Sequence, residues 1–323
     1  MRRVPAEDAG DQGGSVLREV TTRVDPDLCN GCGECVRVCP SQTLTMDGQI
    51  AVVTGERSLG CGHCAAVCPT RAVTVGSLDD DALRLETIEV ADQYLPPGAF
   101  DIAALVRLMR SRRSCRCYRD TPVPLAVLGD LVRVAITAPS GTNSQRWTFT
   151  LVPDRQAVLE LGGAMRDFFA DLGRKAANPG WRLLARLFAG DSLGRYYREH
   201  HSTVAEALRE WDEEGRDRLF HGAPAVILVG SSPGASCPAE DALLASQNLL
   251  LAAHAMGLGT CLIGFAVAAI RHDPRIKRLL GVPADEAIHA VIALGYPDRP
   301  FLRTTGRRRV QPRVFRGRIQ LPP

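Results

Sequence analysis

The chain has 323 residues, 45% of them apolar, enough for a sizeable core and, at roughly 150 residues per domain, for about two domains. Its formal net charge is +3, with basic residues spread along the chain except near the C-terminus, which argues against a nucleic-acid partner. No apolar run reaches the ~18 residues of a membrane span, because the most apolar window, Leu243 to Ile270, is broken by Gln247, Asn248, His254 and several glycines.

In chain order, residues 1–21 carry charges but no apolar core of a signal peptide, and are expected to form a disordered leader. Eleven cysteines without an export signal read as metal ligands rather than disulfides, which assigns the protein to the cytoplasm. CVRVCPSQTLTM from Cys35 repeats as CAAVCPTRAVTV from Cys64, an offset of 29 residues. Each copy reads as a cysteine-rich loop, a short helix and a strand, and the two copies are expected to pack as one unit over 22–77. An acidic stretch and the turn at Pro96, Pro97 and Gly98 form a linker over 78–98, and a second domain occupies 99–323. There, Ile102 to Arg113 has helical spacing, TPVPLAVLGDLVRVAIT reads as a second helix, and Trp147 to Val152 alternates as a strand. Residues 155–215 read as helical segments broken at Asn178, Pro179 and Gly180, forming a cover. AVILVGSS, TCLIGF and HAVIALGY are β-prone, with a helix from Ala239 to Met256 after the first.

The first cysteine set, Cys29, Cys32, Cys35 and Cys39 before Pro40, is the C-x2-C-x2-C-x3-C-P run with which bacterial ferredoxins wrap cubane clusters. Thiolates suit the task because they are soft ligands for iron and sulfide. The fourth cysteine of such a run turns to the other cluster, so one [4Fe-4S] cluster takes Cys29, Cys32, Cys35 and Cys68. The other takes Cys39, Cys61 and Cys64, and the 29-residue offset puts Ser58 where its remaining cysteine is due. Three outcomes are open there: a three-iron cluster, a cubane with a serine or water oxygen on one iron, or no second cluster. A zinc site uses four ligands and accounts poorly for seven cysteines at this spacing.

In the second domain, RRSCRCY (Arg112 to Tyr118), PSGTNSQRW (Pro139 to Trp147), GLGTCLIGF (Gly257 to Phe265), ALGYPDRP and the arginine-rich tail follow one another. Alone, the arginines after a helix read as charges complementing its dipole, the second motif as a polar loop, and the third as a turn into a buried strand. Their order together resembles the nitroreductase family of FMN-dependent oxidoreductases, and the cysteine unit in front resembles its ferredoxin-fused branch. The resemblance implies an α+β chain: a small ferredoxin-like 2[4Fe-4S]-type domain, then a three-layer α/β/α domain with a mixed central sheet. It also implies a homodimer with FMN at the subunit interface and the basic tail as an arm crossing to the partner.

A flavin mononucleotide needs cations for its phosphate, donors and acceptors for its pyrimidine edge and apolar walls for its ring. The candidate contacts are Arg112, Arg113, Ser114 and Arg116, then Asn143 and Gln145, then Ile263 and Gly264, with Arg307 and Arg309 from the tail. Two departures from the family pattern are Arg146, where proline is common, and the pair Cys115 and Cys117, read as packing residues. No residue stands out as a nucleophile or general acid, so none is assigned a catalytic role.

Clusters carry single electrons, whereas a flavin takes singles and delivers pairs. The expected activity therefore passes electrons from the clusters, from NAD(P)H, or from both, through FMN to a small electrophile such as a nitroaromatic or quinone. No G-x-G-x-x-G follows a strand, and ferredoxin is the alternative donor. Other readings are a specialised relative handling flavin itself or a halogenated phenol, and a non-catalytic electron carrier or redox sensor.

Overall fold

The computed structural model describes residues 18–315 and 317; most of the expected leader, 1–17, lies outside them. Residues 18–21, assigned to that leader, instead belong to the first unit. Arg18 exchanges backbone hydrogen bonds with Ser58, and the Gly76 amide donates to the Thr21 carbonyl. The first contact is an isolated antiparallel bridge and the second continues the β1–β4 pairing by one step, so backbone groups on both sides are satisfied.

The first unit runs β1 (Thr22–Val24), α1 (Glu34–Arg37), β2 (Leu44–Asp47), β3 (Ile50–Val53), α2 (His63–Ala66) and β4 (Val73–Val75). Its strands make two antiparallel ribbons, β1 with β4 and β2 with β3. The backbone obeys the repeat closely. Gly33 and Gly62 cap the two helices with φ of 70° and 75°, and Gln42 and Arg71 share φ values of 51° and 57°. The left-handed region is open to glycine without a Cβ penalty, so the glycines next to Cys32 and Cys61 let each loop curl into its helix. Leu44, Ala51, Val73 and Val75 are buried with Cys35 and Cys64 in one small core.

Residues 78–98 form a strap rather than a free linker. After a short 3-10 turn at Asp80–Leu83, the amides of Glu86 and Thr87 and the Thr87 hydroxyl all donate to the Asp130 carboxylate at 2.6–2.7 Å.

The second unit continues with α3 (Ile102–Ser111), α4 (Leu125–Ala135), β5 (Trp147–Val152), α5 (Arg155–Ala177), α6 (Pro179–Ala189), α7 (Ser192–Glu199) and α8 (His201–Glu214). It ends with β6 (Ala225–Ser231), α9 (Pro238–Ala255), β7 (Gly259–Leu262), α10 (Gly264–His272), α11 (Pro274–Leu279) and β8 (Ala287–Gly295). The sheet order is β5-β6-β8-β7 and every ladder is antiparallel. Its mixed character rests on one parallel bridge, Ser114 with Thr260, which lays the segment after α3 beside β7.

Period-two alternation sorts the sheet between two cores. Val226, Leu228, Val291 and Ala293 face α5 and α10, whereas Ala225, Ile227, Val229, Ile292 and Leu294 face α4 and α9. Both faces being covered, β6 reads as an unbroken apolar run and the three layers follow. No helix among the described residues is long and apolar enough to cross a membrane.

Candidate functional site

The second cysteine loop meets one cysteine of the first copy. Cys39, from the first copy, lies with Cys61, Cys64 and Ser58 of the second around one small cavity. The Cys35 thiol is pushed up by burial and by its neighbours Cys29 and Cys32, whereas Cys64 is pushed up by burial and by Cys39 and Cys61. Backbone amides point at the outer thiols: Thr43 N donates to Cys39 Sγ at 3.3 Å and Ala72 N to Cys68 Sγ at 3.2 Å. Burial opposes ionisation of Cys39 and Cys68, but hydrogen bonds from Thr43 and Thr70 outweigh it and hold both thiols below their ordinary value. Among the described residues no three His, Cys, Asp or Glu side chains converge on a single metal ion. In a ferredoxin-type set each thiolate takes a different iron of a cube, so its cysteines need not converge on one point as four zinc ligands would.

Beside β7 lies a second concave region. Arg112, Arg113, Ser114, Arg116 and Arg307 line one cavity of about 310 Å³, with Phe301. The bridge to Thr260 fixes Ser114, the amide of Cys115 donates to the Thr260 carbonyl, and Arg113 donates to the carbonyl of Thr305, which brings the tail over the cavity. Among the described residues none of the four guanidiniums pairs with a carboxylate, so their charge is available to an anion. Their field reaches their neighbours: burial first and then Arg116 lower the His221 basicity, and burial first and then Arg112 lower that of His254. Cys115 is buried, and a Cβ added to Gly259 would stand 2.6 Å from its own, so it packs against β7 while Cys117 is exposed.

Asn143 and Gln145 stand elsewhere. The Asn143 amide donates to the carbonyls of Gly60 at 3.0 Å and Leu59 at 3.4 Å, Gln145 donates to Asn143 Oδ1, and Arg18 donates to the Asn143 carbonyl. Thus the loop after α4 holds the second cysteine loop, and neither amide lines the arginine cavity. Thr142, Asn143 and Gln145 all have positive φ, near 50°, an unusual conformation for three non-glycine residues in one loop. Asp241, 3% exposed near the start of α9, holds that conformation by accepting from Gly141 N and Ser144 Oγ. Gly141 is required there, because a Cβ would fall 2.8 Å from Cys237 Sγ.

Ile263 and Gly264 sit at the join of β7 and α10. Ile263 N donates to the Val291 carbonyl, and a Cβ on Gly264 would meet nothing within 4 Å, so that backbone is open. Gly264 borders a cavity of about 710 Å³ walled by Phe168, Phe169, Tyr196, His200 and Phe265. The Tyr196 hydroxyl is buried there without a partner among the described residues. Arg309 is exposed and lines none of these cavities. Arg146, at the unusual position, extends the β5–β6 ladder through its carbonyl and packs its side chain against Gly234.

Sequence reasoning missed Arg18, Asp130, Asp241 and Phe301. The signal for Asp241 was a carboxylate in the first turn of a helix, indistinguishable from one that complements the dipole.

A family model described as the nitroreductase family matches residues 109–296, and one described as a 4Fe-4S dicluster domain matches 21–81. An NADH dehydrogenase of Thermus thermophilus is 31% identical over 188 residues, covering 58% of this chain and 83% of its own length. A 4-nitrobenzoate reductase of Nocardioides is 27% identical, covering 61% of this chain and 82% of its own length. An iodotyrosine deiodinase of Thermotoga neapolitana is 28% identical, with 61% and 90% covered.

Proposed function

This chain belongs to the nitroreductase family and carries a 4Fe-4S dicluster domain, and from that premise we propose that it is an FMN-dependent oxidoreductase with its own electron inlet. The observation that carries the reading is the convergence of Arg112, Arg113, Ser114, Arg116 and Arg307 on one cavity beside β7, with the open backbone of Gly264 four residues past Thr260. FMN, when bound, supplies the exchange between single-electron and hydride chemistry. The guanidinium forks and the Ser114 hydroxyl would hold its phosphate, with Phe301 and Arg307 of the tail lining the same cavity.

Phe168, Phe169 and Phe265 offer an apolar wall next to Gly264, suited to a planar acceptor such as a nitroaromatic or quinone. The similarity to a deiodinase favours a halogenated phenol as a second acceptor class. The Asn143 latch and the strap at Asp130 hold the ferredoxin-type unit against this domain, as an electron inlet needs. A homodimer would cover the apolar stripe Ile102, Val106 and Met109 on α3 and the exposed Leu302, Val310, Val314 and Phe315 of the tail.

Anaerobic stopped-flow mixing with NADH, NADPH and reduced ferredoxin tests the proposal. Loss of flavin absorbance with at least one donor, and its return on adding a nitroaromatic or quinone, is expected; bound flavin inert to all three donors would overturn it. A single dimeric mass by size exclusion with light scattering is the accompanying expectation.

A further inference from the structure

The two copies of the cysteine repeat differ at one ligand position, and there the chain supplies an oxygen. We propose that Ser58 Oγ is the fourth protein ligand of the second iron–sulfur cluster, completing the set Cys39, Cys61 and Cys64. The proposal rests on the reading of those three cysteines as cluster ligands.

Register comes first. Ser58 precedes Cys61 as Cys29 precedes Cys32, and the backbone between follows the same course: Gly31 and Gly60 have φ of 74° and 60°, Gly33 and Gly62 of 70° and 75°. Ser58 thus occupies the place that Cys29 fills in the other copy, and its residue lines the cavity that Cys39, Cys61 and Cys64 line.

The oxygen, like the sulfurs, accepts from a backbone amide, in its case within a local two-residue turn. Ala51 N points at Cys29 Sγ (3.5 Å), Thr43 N at Cys39 Sγ (3.3 Å) and Ala72 N at Cys68 Sγ (3.2 Å); Gly60 N donates to Ser58 Oγ at 3.0 Å. A backbone amide aimed at an anionic ligand stabilises it, and a serine oxygen so placed is prepared for the same charge.

The position is also fixed. Arg18 brackets Ser58 with two backbone hydrogen bonds of 3.0 and 2.9 Å, and Asn143 holds the Gly60 carbonyl from the other side. On ligation the hydroxyl proton passes to solvent as the Fe–O bond forms, and no electron is transferred. Oxygen is a harder donor than sulfur, so this iron differs from the other seven in reduction behaviour.

The test uses the full chain prepared anaerobically, with iron and sulfide counts, EPR in oxidised and reduced states, and a redox titration. The wild type should hold about eight iron per chain, as two four-iron clusters require. Ser58→Ala should lose about one iron and develop the EPR signal of an oxidised three-iron cluster; Ser58→Cys should keep about eight and shift the potential of one cluster alone. About eight iron with both clusters' spectra and potentials unchanged in Ser58→Ala would overturn the proposal. About four iron, unchanged by Cys61→Ala, would overturn the reading of the second cavity itself and the proposal with it.

Discussion

The two copies of the cysteine repeat share a backbone and differ in company. The first begins with Cys29 and is bounded by its own unit; the second begins with Ser58, and among the described residues it is the copy whose loop accepts hydrogen bonds from the second domain, through Leu59 and Gly60. A duplicated motif keeps its local geometry because the same spacing and the same left-handed glycines enforce it. Its two halves are free to diverge where they meet different surroundings. The half at the domain junction is the one with a serine in place of a cysteine.

The largest expected effect separates the halves by their metal. Cys35→Ala and Cys64→Ala should each remove up to half of the iron, while hydrogen exchange at 139–146 should rise in Cys64→Ala alone. Equal loosening of that loop in both variants would erase the asymmetry.

The unit's two attachments differ as well. Asp130 is fully buried, and although burial opposes its ionisation, hydrogen bonds from Thr87, the Glu86 and Thr87 amides and Arg133 hold its pKa at about 2. Asp130→Ala should therefore cost about 2–4 kcal/mol, read by urea denaturation. Because this folded-state pKa lies below the ordinary 3.8, the strap's contribution is fully present above about pH 4 and fades as pH falls through about 2. Acid titration followed by exchange at 84–90 checks the sign.

A third substitution should leave both copies untouched. Arg116→Ala removes a charge-assisted contact worth about 1.5–3 kcal/mol, so FMN should bind about 10- to 100-fold more weakly by fluorescence titration with iron content unchanged. The smallest effect belongs to the latch. Asn143→Gly removes the side chain without adding strain at its positive φ, and should loosen the second cysteine loop by about 1 kcal/mol, measured by hydrogen exchange, with the first loop unaffected.

Much of the fold was legible because its signals are local. Strand β5 falls on the alternating residues Trp147 to Val152, α9 lies within one residue of its expected span, and α3 and α4 lie where helical spacing put them. The expected cover over 155–215 is four helices, broken at Asn178 as read and again near Gly190 and His200, where no proline marked the stop. Arg112, Arg113, Ser114 and Arg116 meet Arg307 in one cavity although 191 residues separate Arg116 from Arg307, because Arg113 donates to the Thr305 carbonyl and so ties the tail to this segment. The contacts of Asn143 were not legible, because its partners, Leu59 and Gly60, are backbone carbonyls, which any sequence offers everywhere.

The sequence by itself determined the seven cysteines, the serine at the eighth position, the repeat and the order of the second domain's motifs, since these depend on residue identity and spacing. Only the tertiary structure decided that the second cysteine loop is the one at the junction and that the segment 78–98 is fastened to Asp130. Those outcomes depend on pairings between residues distant in the chain, where burial and the need to satisfy every hydrogen-bonding group select one arrangement among many that local preferences allow.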